Sequence, residues 1–351
     1  MASTDIRLRI RILLTAVLIA FISLTSIQFH SVATFRDPVP GSCTIFSAAI
    51  GDRVLFGNNE DYYKPKTYLW TEPGTDSTYG CIYLGYKTYS HQGGINEKGL
   101  CFDANALPGS QLIPHDNLPL PPTYPPPYQD YAVWIPVLIL RKAATVKEAV
   151  KMATKYQRSN WYPQSGDLKY QLYFADATGD AVVMSVDQNG ELAFSRKEPG
   201  KSYLISTNFN KANPENALEY PCERYQKADE MLSRINSEND LTHDFFKSIL
   251  DSVHVSGLFN TTLYSNVFDL KKGMIYLYHW HQYNEVVVLD VNKELAKKRY
   301  LIRIKDLFSP ATVRNASNEY KGIILRWSLA SILGTVILVL VLHYLRKIRS
   351  L

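Results

Sequence analysis

The sequence predicts an α+β domain of stacked β-sheets covered by helices, in a chain that is apolar near both ends. Three observations predict it. Segments that alternate apolar and polar residues, bounded by Gly, Asn, Asp or Pro, fall into two groups with pairs of helical segments between them. A Gly51-Asp52 turn joins two such segments between a cysteine and a polar cluster. Apolar runs with basic flanks lie near both termini.

The elements follow in order. Thr44, Phe46 and Ala48 alternate with neighbours on the other face, and Val54-Leu55-Phe56 continues the return strand. The hairpin carries Asn58-Asn59-Glu60-Asp61 back beside Cys43. Strands are expected around Tyr68-Leu69-Trp70 and over Cys81 to Tyr86. His91 to Asn96 reads as a tight turn into a strand from Leu100 to Ala104. Pro108 to Tyr128 is a Pro-rich loop, either a solvated surface or a wall of the substrate pocket. Tyr131 to Lys142 and Thr145 to Tyr156 read as helices, and Thr145 with Glu148 forms a capping box. Strands follow around Tyr170–Ala175, Ala181–Val186, Leu192–Ser195 and Tyr203–Thr207. Glu223 to Ile235 and Leu241 to Val253 are again helical. Leu263–Leu270, Met274–His279 and Glu285–Asp290 close the domain as strands, and Glu294 to Arg299 as a short helix.

The chain has 351 residues, 46% apolar and 20% charged, which fits a globular body. Its net charge of +5 owes much to Arg7, Arg9 and Arg11 at one end and Arg346, Lys347 and Arg349 at the other. That placement argues for membrane topology and against a nucleic-acid partner. Residues 1–33 read as a signal peptide, or an uncleaved anchor, and 34–42 as a propeptide or linker. The catalytic domain is expected over 43–305, a polar tether over 306–321, a transmembrane helix over 322–345 and a cytoplasmic tail over 346–351. Both ends then place the middle of the chain outside the cytoplasm. The triplets Asn260-Thr261-Thr262 and Asn315-Ala316-Ser317 are compatible with that location. If Cys43 is a nucleophile, Cys81, Cys101 and Cys222 remain and leave either one disulfide with one buried thiol or none, and no cysteine spacing reads as a zinc site.

These residues resemble the choloylglycine hydrolase and linear amide C–N hydrolase group within the N-terminal-nucleophile (Ntn) hydrolases, which includes the penicillin acyltransferases. Cys43-Thr44 followed by Gly57-Asn58-Asn59-Glu60-Asp61 is similar to its opening strand and Gly-x-Asn-x-Asp cluster. Gly94-Ile95-Asn96-Glu97-Lys98-Gly99-Leu100, Asn105-Ala106-Leu107, Ser206-Thr207-Asn208 and Tyr220 to Tyr225 are similar to later segments, in the group's order. The resemblance implies an αββα four-layer sandwich and a small acyl-amide substrate. It implies neither metal nor cofactor, and it leaves the oligomer open. It implies that Cys43 becomes the N-terminal nucleophile, with its own amine as proton acceptor. Asp61 would hold that amine, Asn105 and Asn208 would donate to the oxyanion, and Arg224 would steady Asp61 or the thiolate. Asn58 and Asn59 would contact substrate. Asn58 departs from the bile-salt and penicillin V hydrolases, which carry an arginine there; the acyltransferase branch has an amide.

The activity so implied is hydrolysis of non-peptide C–N amide bonds. An acyltransferase of the same fold and a silent, membrane-tethered binding module are the alternatives. His279 and His281 alternate on one strand and would face one side, but no third metal ligand is in reach. The local glycine and tryptophan signature of papain-like proteases is absent.

Overall fold

The computed structural model describes residues 43–349 except 64, 87–89, 111, 114, 116, 124–132, 158–167, 215–220 and 258–259. The expected signal peptide and propeptide lie outside the described residues.

Two antiparallel sheets form the body. The first contains β1 (Thr44–Ile50), β2 (Arg53–Tyr62), β10 (Tyr203–Ser206), β11 (Thr261–Asp269), β12 (Met274–His279) and β13 (Val287–Asp290), in the order β10-β1-β2-β11-β12-β13. The second contains β3 (Thr67–Glu72), β4 (Cys81–Tyr86), β5 (Ser90–Asn96), β6 (Cys101–Ser110), β7 (Leu168–Ala175), β8 (Ala181–Val186), β9 (Leu192–Arg196) and β14 (Leu301–Arg303). Their order is β14-β3-β4-β5-β6-β7-β8-β9. Alternating side chains make each strand two-faced, so each sheet buries one face against the other sheet. Ile45, Phe56 and Phe268 from the first sheet meet Ile82, Leu84 and Tyr173 from the second in that shared core.

The outer faces are covered by helices. On the second sheet lie α1 (Ile135–Lys142) and α2 (Val146–Ala153), packed over Tyr83, Phe102 and Phe174. On the first lie α3 (Glu223–Leu232) and α4 (His243–Ser252), packed over Phe46, Ile205 and Val267. The molecule is therefore helix–sheet–sheet–helix, the αββα sandwich expected. A short helix, α5 (Val291–Leu295), precedes β14.

Several elements differ from the sequence reading, each for a local reason. Ser90 to Asn96 is strand β5, not a turn: Gly93 and Gly94 sit inside it, where a side chain would strike Asp103 or the Ile82 carbonyl. The turn comes later, at Gly99, whose φ is +80°. Thr145 caps α2 by accepting from the Glu148 N–H at 3.2 Å, but the Glu148 carboxylate reaches Ala144 at 2.7 Å instead of closing the box on Thr145. Asn96 donates to Leu140 and Ala143 and accepts from Lys98 and Leu100, stitching β5 to the end of α1. The polar stretch expected as a tether is helical from Pro310. There α6 (Pro310–Arg349) begins, and Ala316 on it is buried.

Two compact units are distinguished along the described chain, the body up to Tyr320 and the segment from Lys321 onward. The second is the rest of α6, long and apolar enough to cross a membrane. Its Leu329, Ile332, Leu333, Val336 and Leu340 are exposed, unlike the apolar face of a soluble core helix.

Candidate active site

The β1–β2 hairpin builds the site. Ile50 pairs with Arg53 across the Gly51-Asp52 turn, and the ladder runs to Thr44 opposite Asn59. The next step of the register sets Cys43 opposite Glu60. Alternation then sorts the polar cluster. Phe56, Asn58 and Glu60 face the space between the sheets, with Ile45 and Cys43; Asn59 and Asp61 face the helices, with Thr44 and Phe46. Asn58 and Asn59, grouped as substrate contacts in the sequence, thus face opposite sides. Asn59 donates to the Leu250 carbonyl at 2.8 Å and accepts from Ser265 and Tyr283 at 2.6 and 3.3 Å, so its amide belongs to the seam under α4.

The backbone carbonyl of Cys43 accepts from Asn105 Nδ2 at 2.9 Å and from Arg224 Nη1 at 3.1 Å. Asn105 comes from β6 of the facing sheet. Its Oδ1 accepts from Ser206 Oγ at 2.5 Å, so its orientation is fixed from β10. Arg224, on the first turn of α3, also donates to Thr44 Oγ1 at 2.7 Å and Asn208 Oδ1 at 3.0 Å. Asn208 donates in turn to the Ala106 carbonyl at 2.9 Å. Cys43, Asn105, Asn208 and Arg224 therefore form one hydrogen-bonded cluster, drawn from both sheets and a helix.

Asp61 lies beside it, 4.0 Å from Arg224 Nη1 and bonded by Thr262 Oγ1 at 2.5 Å. Burial pushes its carboxyl up to about 8; Arg224 and the Thr262 hydroxyl oppose that rise, and Glu60 adds to it. Glu60 accepts from the Tyr86 hydroxyl. Burial raises its carboxyl to about 7, while Tyr86, Cys43 and Asn58 hold it down. The Cys43 thiol, almost fully buried, is pushed well above its ordinary value. Burial is the main cause, followed by the charges of Glu60, Asp61 and Asp103; the Asp61 N–H opposes them.

Sequence reasoning passed over Glu60, Asp103, Thr262 and Gln171. Gln171 donates to Ser206 and to the Thr207 and Phe209 carbonyls, holding the chain on both sides of Asn208. Asp103 had a signal: it stands two residues before Asn105 on one strand, so the two share a face. In the sequence Thr262 stands only as the last residue of the Asn260-Thr261-Thr262 triplet; its buried hydroxyl serves Asp61.

The histidine pair is corrected. Trp280 has a φ of +56°, which breaks the alternation between His279 and His281. His279 packs on Phe308, whereas His281 bonds Glu319 at 2.5 Å. Among the described residues no group of three or more His, Cys, Asp or Glu side chains could hold a metal ion. All four cysteines are free thiols.

Among solved structures, two variants of conjugated bile acid hydrolase from Clostridium perfringens are similar to this chain. One has a TM-score of 0.58 at 17% identity, covering 74% of this chain and 97% of the hydrolase. The other has a TM-score of 0.53 at 15% identity, covering 74% and 96%. Penicillin V acylase from Agrobacterium tumefaciens aligns with a TM-score of 0.55 at 19% identity, covering 73% of this chain and 88% of the acylase. This chain shares their fold. No protein-family model matches the sequence, and no curated protein matches it. The αββα sandwich is thus that of the amide hydrolases which the motifs around Cys43 resemble.

Proposed function

We propose that the chain is a membrane-anchored hydrolase of non-peptide C–N amide bonds, acting on a small N-acylated amine through an N-terminal Cys43. The observation that carries this reading is the position of Cys43. It heads β1 with its carbonyl held by Asn105 and Arg224 and with the Asp61 carboxyl next to the same guanidinium. The fold shared with two kinds of amide hydrolase supports it.

While Ser42 is joined to Cys43, the Cys43 nitrogen is an amide and accepts no proton. The thiol first attacks the Ser42 carbonyl carbon. The C–N bond breaks, nitrogen takes the thiol proton, and water hydrolyses the thioester, releasing the segment that ends at Ser42. The freed amine, with an ordinary pKa of about 7.7–8, is then matched to accept the thiol proton during turnover. Its ammonium form is a cation beside a thiol whose other neighbours are carboxyls, and it reverses the sign of that field. Asp61 holds the amine. The thiolate attacks the substrate carbonyl, Asn105 and Asn208 donate to the oxyanion, the amine product leaves with a proton, and water cleaves the acyl-enzyme. Residues 34–42 are the released segment, α6 carries the membrane span, and the body lies on the extracytoplasmic side.

N-terminal mass determination on protein taken from membranes tests this. The wild-type chain is expected to begin at Cys43. Cys43→Ala is expected to keep its upstream residues and to lose amidase turnover. A wild-type chain that begins elsewhere, or turnover retained in Cys43→Ala, refutes the reading. One observation favours an acyltransferase instead: Asn58 stands where the hydrolases carry arginine. Diversion of the acyl-enzyme by added amines, in preference to water, would decide for it.

A further inference from the structure

We infer that the space between the sheets beside Cys43 is a subsite for a positively charged group of the substrate, an ammonium or quaternary ammonium, with Glu60 as its counter-charge. This rests on the amidase reading above. Glu60 faces that space from the strand paired with Cys43. One carboxylate oxygen takes the Tyr86 hydroxyl. The other, fully buried, makes no well-formed hydrogen bond, although the Cys43 thiol and the Asn58 amide lie near enough to hold the carboxyl down. Asp103 faces Glu60 from the other sheet. Its Oδ1 takes the Ala104 N–H at 2.8 Å, and its Oδ2 makes no hydrogen bond. Gly93 leaves room for it: a Cβ there would stand 2.3 Å from Oδ2.

The surroundings point the same way. Asn266, opposite Asn58 in the ladder, is buried with neither its amide nitrogen nor its oxygen bonded. The buried Tyr264 hydroxyl is unbonded too, and it feels the charges of Glu60, Asp103 and Cys43. Among the described residues no lysine or arginine pairs with Glu60 or Asp103. Arg224 lies under the helices, bonded to Cys43, Thr44 and Asn208. In the mature chain Asp61 holds the Cys43 ammonium, so among the described residues the two facing carboxyls lack a cation of their own, and each disfavours ionisation of the other. An anionic group would add to that repulsion, and an apolar group would leave the acceptors unpaired. A cation answers both. Aromatic rings stand next to Glu60: its partner Tyr86 packs on the half-buried Tyr62 at 4.6 Å between ring centroids, and Tyr62 packs on the exposed Tyr63 at 4.5 Å.

Two isosteric series test this on the full chain in detergent. In the first, one acyl group is joined to 2-(trimethylammonio)ethylamine, 3,3-dimethylbutylamine or taurine. In the second, one amine carries a 4-(trimethylammonio)butanoyl, 5,5-dimethylhexanoyl or 4-sulfobutanoyl group. The cationic member of one series is expected to exceed its neutral partner in kcat/KM by about tenfold or more, with the sulfonate lowest. Glu60→Gln is expected to bring that ratio within about threefold of unity. A neutral or sulfonate preference in both series, or an unchanged ratio in Glu60→Gln, overturns the subsite and leaves the amidase reading standing. If the wild-type chain turns over none of the six, the amidase reading falls and binding decides the subsite. Tetramethylammonium chloride should then raise Tm by about 2 °C or more over equal sodium chloride in wild type and not in Glu60→Gln. No difference between the salts would sink it.

Discussion

Replacing Glu60 by glutamine measures the cost of its burial directly. In the folded chain the carboxyl is raised from an ordinary 4.5 to about 7, chiefly by burial. The native chain thus keeps a proton that the unfolded chain has already released. The contribution of this group to stability is complete below its unfolded value and is lost as pH rises through 7. The displacement corresponds to about 3 kcal/mol, spread between about pH 4 and pH 8. Glutamine keeps an acceptor for the Tyr86 hydroxyl and does not titrate. The stability of Glu60→Gln relative to wild type should therefore improve by about 3 kcal/mol across that range. At about 2–4 °C per kcal/mol for a body of this size, the Tm difference should move by about 6–12 °C in favour of the variant. Thermal unfolding followed by circular dichroism, at fixed ionic strength and several pH values and with Cys43→Ala in both chains so that residue 43 keeps its amide nitrogen, provides the assay. Asp61 and Asp103 are raised in part by the Glu60 charge, so its removal eases their ionisation and moves the difference in the same direction. Two melting curves separated by a constant offset from pH 4 to pH 8 would refute the reasoning.

Other expectations follow from single contacts. Asn105→Ala removes a donor from the Cys43 carbonyl and the acceptor of the Ser206 hydroxyl, which keeps its bond from Gln171; kcat should fall by about 10²–10³, read from steady-state kinetics with Tm as a folding control. Gly85→Ala would put a Cβ 2.1 Å from the Ser90 carbonyl in the β4–β5 bulge, which should cost about 1–3 kcal/mol in a denaturant titration. A chain ended after Tyr320 loses the exposed apolar length of α6 and should move from the membrane pellet to the soluble fraction on ultracentrifugation.

The hairpin around Gly51-Asp52 was legible because its turn chemistry and its alternation agree, and the start of α2 because Thr145 offers a cap there. Ser90 to Asn96 was not legible. Adjacent glycines read as a turn, and only the closeness of Asp103 and the Ile82 carbonyl explains why a strand needs them. The start of α6 was hidden by its composition. Arg314, Asn315, Ser317 and Asn318 read as a tether, while the residues that bind it, Glu319 to His281 and Tyr320 to Trp280, have partners far away in sequence. For the site, motifs pointed to Cys43, Asp61, Asn105, Asn208 and Arg224, which the fold brings together. Glu60 was passed over because a glutamate in a polar cluster looks solvated until the opposite sheet is in place.

The two-facedness of β2 between Gly57 and Tyr62 has a consequence for how such a protein can change. Side chains 58 and 60 can be exchanged to recast what the interior accepts while the bonds of 59 and 61 under the helices stay as they are. Inserting or deleting one residue in this stretch would trade the two sets, sending Asp61 toward the interior and Glu60 toward Arg224. The strand tolerates new letters but not a new length.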